Sequence, residues 1–319
     1  MTGVSRAQSK QVSQEMELRK AENRSPTTIQ QLPKEKVSEK FDNNEKVAES
    51  YYDDMDADTF YYRIWGGQDI HVGLYNEPVE KDVIRDASRR TVYYMTDLLK
   101  ETGLLKPGAV GMDLGAGYGG TARYLAEKFG VRVDCLNISD SQNARNRQMT
   151  EEAGLTHLVS VIYGSFQDIP APDCSYDFLW SSDAIDHAPD KAQVFREVAR
   201  VLKPGGIFIF TDLMKADDVP ASELGPVLER IKLPDMGSVK LYRSLASANG
   251  QKEYAVYEKP EALINHYWRV KLELEKQKDE ISKFCSVAFQ ERMKQGLDHW
   301  VNAGKAGKLN WAIMMFQKP

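Results

Sequence analysis

A glycine-rich turn carries the first chemical signal in this chain. It reads Asp113-Leu114-Gly115-Ala116-Gly117-Tyr118-Gly119-Gly120, an acid just ahead of a G-x-G-x-G run. Glycines let a backbone approach a ligand closely and adopt positive φ. Such a turn between a strand and a helix marks a nucleotide-type site at the carboxyl end of a parallel sheet. No Gly-Lys-Ser/Thr follows, which argues against a nucleoside triphosphate as the ligand. Two histidines are placed for work nearby. His187 ends Asp183-Ala184-Ile185-Asp186-His187, and His71 lies in an aromatic segment that runs to Tyr75. Each suits a base or a polar orienter. His266 is a further lining candidate, whereas His157 and His299 read as structural. Cys135, Cys174 and Cys285 are odd in number and widely spaced, which argues against a disulfide framework or a cysteine-based zinc site. No His-x-x-x-His or carboxylate cluster suggests a metal.

The elements that must position these residues follow from periodicity. Residues 82–102 read as an amphipathic helix. Strands are predicted over 109–114, 132–138, 159–163, 176–181 and 207–213, and helices over 119–129, 140–153 and 191–201. Strands alternating with helices imply an α/β fold, a mostly parallel sheet with helices on both faces. The run Lys203-Pro204-Gly205-Gly206 is read as the stop after the last of these helices. The rhythm then breaks. Residues 214–250, with Pro220, Pro226 and Pro234, read as an irregular helical insertion. A strand over 253–257, helix over 261–304 and a last strand over 310–316 complete seven strands.

Composition sets the outer limits. Of 319 residues, 42% are hydrophobic and 28% charged, and the net charge is −5. That is globular composition, and its mild acidity disfavours nucleic-acid binding, which needs a basic face. No apolar run is long enough to span a membrane, and the first residues read neither as a secretory nor as a transit segment, so a cytoplasmic protein is expected. Residues 1–45 are polar, with Phe41 as their single aromatic, and read as a flexible tail that can form a helix against the body near its end. One domain is expected over 46–319: a lid and helix to 108, a ligand-binding core over 109–213, an acceptor-side insertion over 214–260, then helices and the last strand.

The glycine turn resembles motif I of the class I S-adenosylmethionine-dependent methyltransferases, a Rossmann-like fold. Arg196–Gly206 (REVARVLKPGG) is a specific match to the same family. The resemblance implies S-adenosylmethionine as cofactor. Asp113, Gly115 and Gly117 would surround its amino-acid end, and Asn137, with Ile138 and Gln142, its ribose. Asn137 stands where an acid usually takes the hydroxyls, so that bond loses charge assistance. Ser165 and Phe166 would take the adenine, and Ser182 would border the methyl group. A ligand without phosphate needs no lysine here.

Residues 51–75, 215–231 and 293–307 together resemble the sarcosine/dimethylglycine N-methyltransferases, which make the osmoprotectant glycine betaine. The resemblance covers about 47–319. It implies a small amine as partner, with a monomer or homodimer expected and His187, His71 and Tyr75 at the transfer centre. Aromatic faces such as Trp65 suit a sulfonium and a quaternary ammonium product through cation–π attraction. The acceptor's carboxylate calls for an arginine, which can bind both oxygens. Arg243, beside Tyr242, is the first candidate and Arg63 the second. Two other readings stand beside this one: a methyltransferase for phosphoethanolamine or a tocopherol-type phenol, and a non-catalytic cofactor-binding module.

Overall fold

The computed structural model describes residues 33–42, 45–46, 49–50, 53 and 61–319. Tyr51, Tyr52 and Phe60 of the aromatic segment, and most of the stretch read as a tail, lie outside them. Seven strands form one sheet in the order β3-β2-β1-β4-β5-β7-β6. They are β1 Val110–Leu114, β2 Arg132–Asn137, β3 Val159–Tyr163, β4 Tyr176–Ser182, β5 Leu202–Lys215, β6 Lys252–Glu258 and β7 Leu309–Gln317. β1 to β5 run parallel, while β7 inserts antiparallel between β5 and β6. This is the architecture of the class I methyltransferase fold. β7 is buried along nearly its whole length, as an almost uninterrupted apolar run requires.

Among the described residues, the α-helices of seven or more residues are α1 Ile84–Glu101, α2 Gly120–Phe129, α3 Asp140–Glu152, α4 Lys191–Val201, α5 Gly225–Ile231, α6 Val239–Ala248, α7 Pro260–Lys276 and α8 Val287–Lys305. α1 buries Ile84, Ala87, Thr91, Val92, Met95 and Leu99, the three-and-four spacing of one helical face. α4 is capped by the Asp190 side chain, which accepts the Gln193 N–H at 2.9 Å, and this cap fixes where the helix begins.

Three boundaries differ from the sequence reading. Lys203–Gly206 does not lie outside the sheet, since Leu202 already pairs with Tyr176. The register then shifts, and regular pairing resumes at Ile207 with Phe178. The insertion after β5 is two defined helices, α5 and α6. The predicted helix over 261–304 is broken between α7 and α8. Within the stretch 1–45, a short helix Lys34–Ser38 is followed by buried Phe41 and Glu45. Lys34 pairs with Asp140 at 2.7 Å and the Phe41 ring meets Tyr163 at 5.7 Å. This part of the chain therefore lies against the start of α3 and the end of β3. Among the described residues, no helix is long and apolar enough to cross a membrane.

Candidate functional site

The carboxyl ends of β1 to β4 open into one cavity, with about 700 Å³ of free space that includes open solvent at its mouth. Its floor is the glycine turn. Gly115 has φ +75°, and a Cβ there would sit 2.4 Å from the Ala184 Cβ. The turn after β1 and the loop after β4 thus touch at a point where only glycine fits. On the next side, Ser139 caps α3 by accepting the Gln142 N–H at 3.3 Å. That cap places Gln142 beside Asn137, whose Nδ2 donates to Gln142 Oε1 at 3.1 Å. Gly117, Ile138, Ser165, Phe166 and Ser182 also line the cavity.

One lining carboxylate escaped the sequence reading. Glu45 accepts the Asp42 N–H at 2.8 Å and donates its own N–H to Asp42 Oδ1 at 2.9 Å. This reciprocal pair is the capping-box arrangement of Asp and Glu three residues apart, and its D-x-x-E spacing was the available signal. Glu45 also accepts the Ser165 hydroxyl, so it stands on the cavity wall beside Ser165 and Phe166. The lining contains Glu45 and Asp183 but neither lysine nor arginine. A cationic ligand without phosphate fits that charge pattern, and the glycine-only contact at Gly115 leaves room for it.

Asp183 ties the far end together. It carries φ +51°, a conformation that costs a non-glycine residue energy and is sustained by its surroundings. Its Oδ2 accepts the Val72 N–H at 2.7 Å and its Oδ1 accepts Trp311 Nε1–H at 2.8 Å. One partly buried carboxylate thereby links the segment before α1, β4 and β7. Burial holds Asp183 above the usual carboxylate range, and pushes Asp186 up to about 7. Asp212 is also raised well above that range by burial, with Asp186 adding to it; it accepts the Asp186 N–H at 3.1 Å.

The histidines surround this acid group. His187 lines the cavity; burial first, then Lys191, pushes it down to about 4, so it is neutral near neutral pH. His71 is buried, with Nδ1 3.2 Å from the Val72 carbonyl. His266, pushed down to about 3 by burial and then by His71, accepts the Gly73 N–H at 3.1 Å on Nδ1. The Tyr75 hydroxyl donates to the same nitrogen at 2.9 Å. The Trp65 ring lies 5.1 Å from His266. His71, Tyr75, Trp65 and His266 therefore form one wall outside the residues that line the cavity, and Asp183 joins it to the cavity through Val72.

Four sequence candidates are placed elsewhere. Arg243 is exposed and paired with Glu253 of β6 at 2.6 Å, because consecutive helix residues diverge by about 100° and Tyr242 takes the inward face. Tyr242 is fully buried in the core, its ring 5.7 Å from Phe195 and its hydroxyl donating to Asp212. Neither belongs to the cavity. Arg63 is exposed and lies over the Phe284 ring at 3.8 Å. Asp113 is buried behind the glycine turn rather than on the cavity wall, where burial, with Asp69 adding to it, pushes it up to about 7. Among the described residues, no group of three or more His, Cys, Asp or Glu is placed to hold a metal ion.

Comparison with known proteins places this geometry in context. Residues 112–210 match a methyltransferase-domain family model. The chain is 49% identical over 274 residues to a sarcosine/dimethylglycine N-methyltransferase of Aphanothece halophytica, spanning 86% of this chain and 97% of that protein. It is 44% identical over 275 residues to a dimethylglycine N-methyltransferase of Parasynechococcus marenigrum, spanning 86% and 96%. A crystal structure from Galdieria sulphuraria, named as a candidate sarcosine dimethylglycine methyltransferase, superposes with a TM-score of 0.79 at 53% identity, covering 82% of this chain and 98% of that one.

Proposed function

The chain belongs to the sarcosine/dimethylglycine N-methyltransferases, and from that premise we propose that it methylates sarcosine and dimethylglycine with S-adenosylmethionine, giving glycine betaine. One observation carries this reading. The family model ends at residue 210, but identity to the named relatives spans 86% of the chain. The likeness therefore extends beyond the domain-level match to the elements that choose an acceptor.

When bound, S-adenosylmethionine supplies an electrophilic methyl group on a sulfonium. The residues of the chain supply everything else. The glycine turn at Gly115 and Gly117 admits the amino-acid end. Asn137 and Gln142 offer their amides to the ribose hydroxyls. Glu45 and Ser165 offer polar atoms to the adenine, and Phe166 offers a ring face. His187, Asp183 and Ser182 border the methyl end.

The acceptor nitrogen must present a neutral lone pair in line with the methyl group. Positioning and exclusion of water provide most of the acceleration such a transfer needs. The buried wall of Trp65, Tyr75, His71 and His266 supports both roles. His187 and His266 are held neutral by burial, so neither puts a fixed positive charge beside a sulfonium. The product is a quaternary ammonium, which aromatic faces and nearby carboxylates favour.

The test is incubation with S-adenosylmethionine and, in turn, sarcosine, dimethylglycine and phosphoethanolamine, followed by mass spectrometry. Dimethylglycine and betaine are the expected products of the first two. Methylation of phosphoethanolamine alone would replace this reading with another acceptor class.

A further inference from the structure

We infer that Arg230 binds the carboxylate of the acceptor and so sets the specificity for amino-acid amines; the inference rests on the proposed methylation of sarcosine and dimethylglycine. In these acceptors the carboxyl carbon is two bonds from the nitrogen that receives the methyl group. The cation that holds the carboxylate must therefore stand close to the transfer centre.

The geometry around α5 points to such a cation. The Arg230 guanidinium carbon lies 5.4 Å from the Tyr267 ring centre and 5.9 Å from that of Trp300. Those two rings are themselves 4.7 Å apart. α8 makes room for the side chain at Gly296, where a Cβ would sit 2.4 Å from Arg230 Cδ. Aromatic faces hold a guanidinium through its plane, whereas a carboxylate is bound through its edge. The two kinds of contact are therefore compatible at one arginine.

Tyr267 connects this arginine to the transfer centre. Its hydroxyl is hydrogen-bonded to Arg230, its ring lies 5.8 Å from that of His266, and His266 accepts the N–H of Gly73, next to the Val72 N–H that Asp183 accepts. Asp183 is on the cavity wall. His266, the neighbour of Tyr267, closes the other side with Trp65 and Tyr75. Two buried nitrogens of this wall, His266 Nε2 and Trp300 Nε1, have no hydrogen-bond partner among the described residues. The aromatic wall thus carries a cation, Arg230, at Tyr267, and meets a carboxylate, Asp183, through Val72. A small amino acid has the matching pattern, its carboxylate toward Arg230 and its nitrogen toward Asp183.

Lys191, Arg269 and Arg243 face different ways. Lys191 donates to the carbonyls of Asp186 and Ala188, and Arg269 to the Asp82 carbonyl and Glu273. Arg243 is at the surface with Glu253.

The experiment compares wild type, Arg230→Met and Arg230→Lys. It measures steady-state KM and kcat for dimethylglycine and for N,N-dimethylaminoethanol, in which a hydroxymethyl group replaces the carboxylate. Cofactor affinity is measured separately by calorimetry. Arg230→Met should raise KM for dimethylglycine by about 10- to 100-fold, the loss expected for a charge-assisted hydrogen-bonded pair. S-adenosylmethionine affinity should stay within about twofold, and the wild-type preference for dimethylglycine over dimethylaminoethanol should collapse. Arg230→Lys should fall between, because it keeps the charge and loses the fork. A KM for dimethylglycine within about twofold of wild type in Arg230→Met would overturn the assignment. So would loss of cofactor affinity in both variants, which marks a structural residue. Failure of the wild-type protein to methylate sarcosine or dimethylglycine would instead overturn the functional reading itself.

Discussion

Gly115→Ala tests the site at its tightest contact. The residue stands at φ +75°, and its added Cβ would lie 2.4 Å from the Ala184 Cβ, where ordinary contact begins at 3.4 Å. The two walls must therefore part by about 1 Å. The left-handed conformation itself costs an alanine about 1–2 kcal/mol, and overpacking adds about 1–3 kcal/mol. Neither is enough to unfold a domain of this size, but both walls belong to the cavity, and a misplacement of about 1 Å costs about 100-fold in a positioned site. The expected result in calorimetry is an S-adenosylmethionine Kd raised about 100-fold, with a cooperative melt retained and a Tm lowered by several degrees. A Kd within about threefold of wild type would refute the claim that this turn and Ala184 jointly frame the cofactor.

Three further changes probe the rest of the wall. Glu45→Gln leaves the cavity shape intact but removes the carboxylate that Ser165 donates to; the Kd for S-adenosylmethionine should rise about 3- to 10-fold, an effect of about 1 kcal/mol, and an unchanged Kd would remove Glu45 from the binding set. Asp183→Asn puts an amide where both neighbours, Val72 N–H and Trp311 Nε1–H, are donors; one contact must be lost, so unfolding by denaturant should show a loss of about 1–3 kcal/mol together with a large fall in kcat, and wild-type values for both would contradict the linking role. Asp186 has its folded pKa raised from 3.8 to about 7 by burial. Its contribution to stability is therefore full below about pH 4 and lost as pH rises through about 7. Asp186→Asn does not titrate, so its Tm relative to wild type should climb between pH 5 and pH 8, and a difference that is flat with pH would count against the buried acid.

The parallel core was legible because its physics is local. Strands covered on both faces are continuous apolar runs, and the turns between strand and helix are marked by glycine or by caps such as Ser139 and Asp190. The residues placed from those turns, from Gly115 through Ser182, line one cavity. The acceptor side was harder to read because it is assembled from distant pieces. Arg243 is adjacent to Tyr242 in the chain, yet adjacency on a helix separates side chains, and burial of Tyr242 turns Arg243 to solvent. Arg230 meets Tyr267, Gly296 and Trp300 only once α5, α7 and α8 have packed. Glu45 lay in a polar stretch where only its spacing from Asp42 gave a signal. Asp113 shows a different limit, since the strand carries it to the end of β1 but burial behind the turn keeps it off the cavity wall.

The central claim is methyl transfer to the nitrogen of dimethylglycine, and its most direct measurement uses S-adenosylmethionine carrying a deuterated methyl group. Turnover with dimethylglycine should give glycine betaine bearing one labelled methyl group on nitrogen, with S-adenosylhomocysteine formed in equal amount. No labelled betaine, or label found on the carboxylate oxygen as a methyl ester, would contradict it.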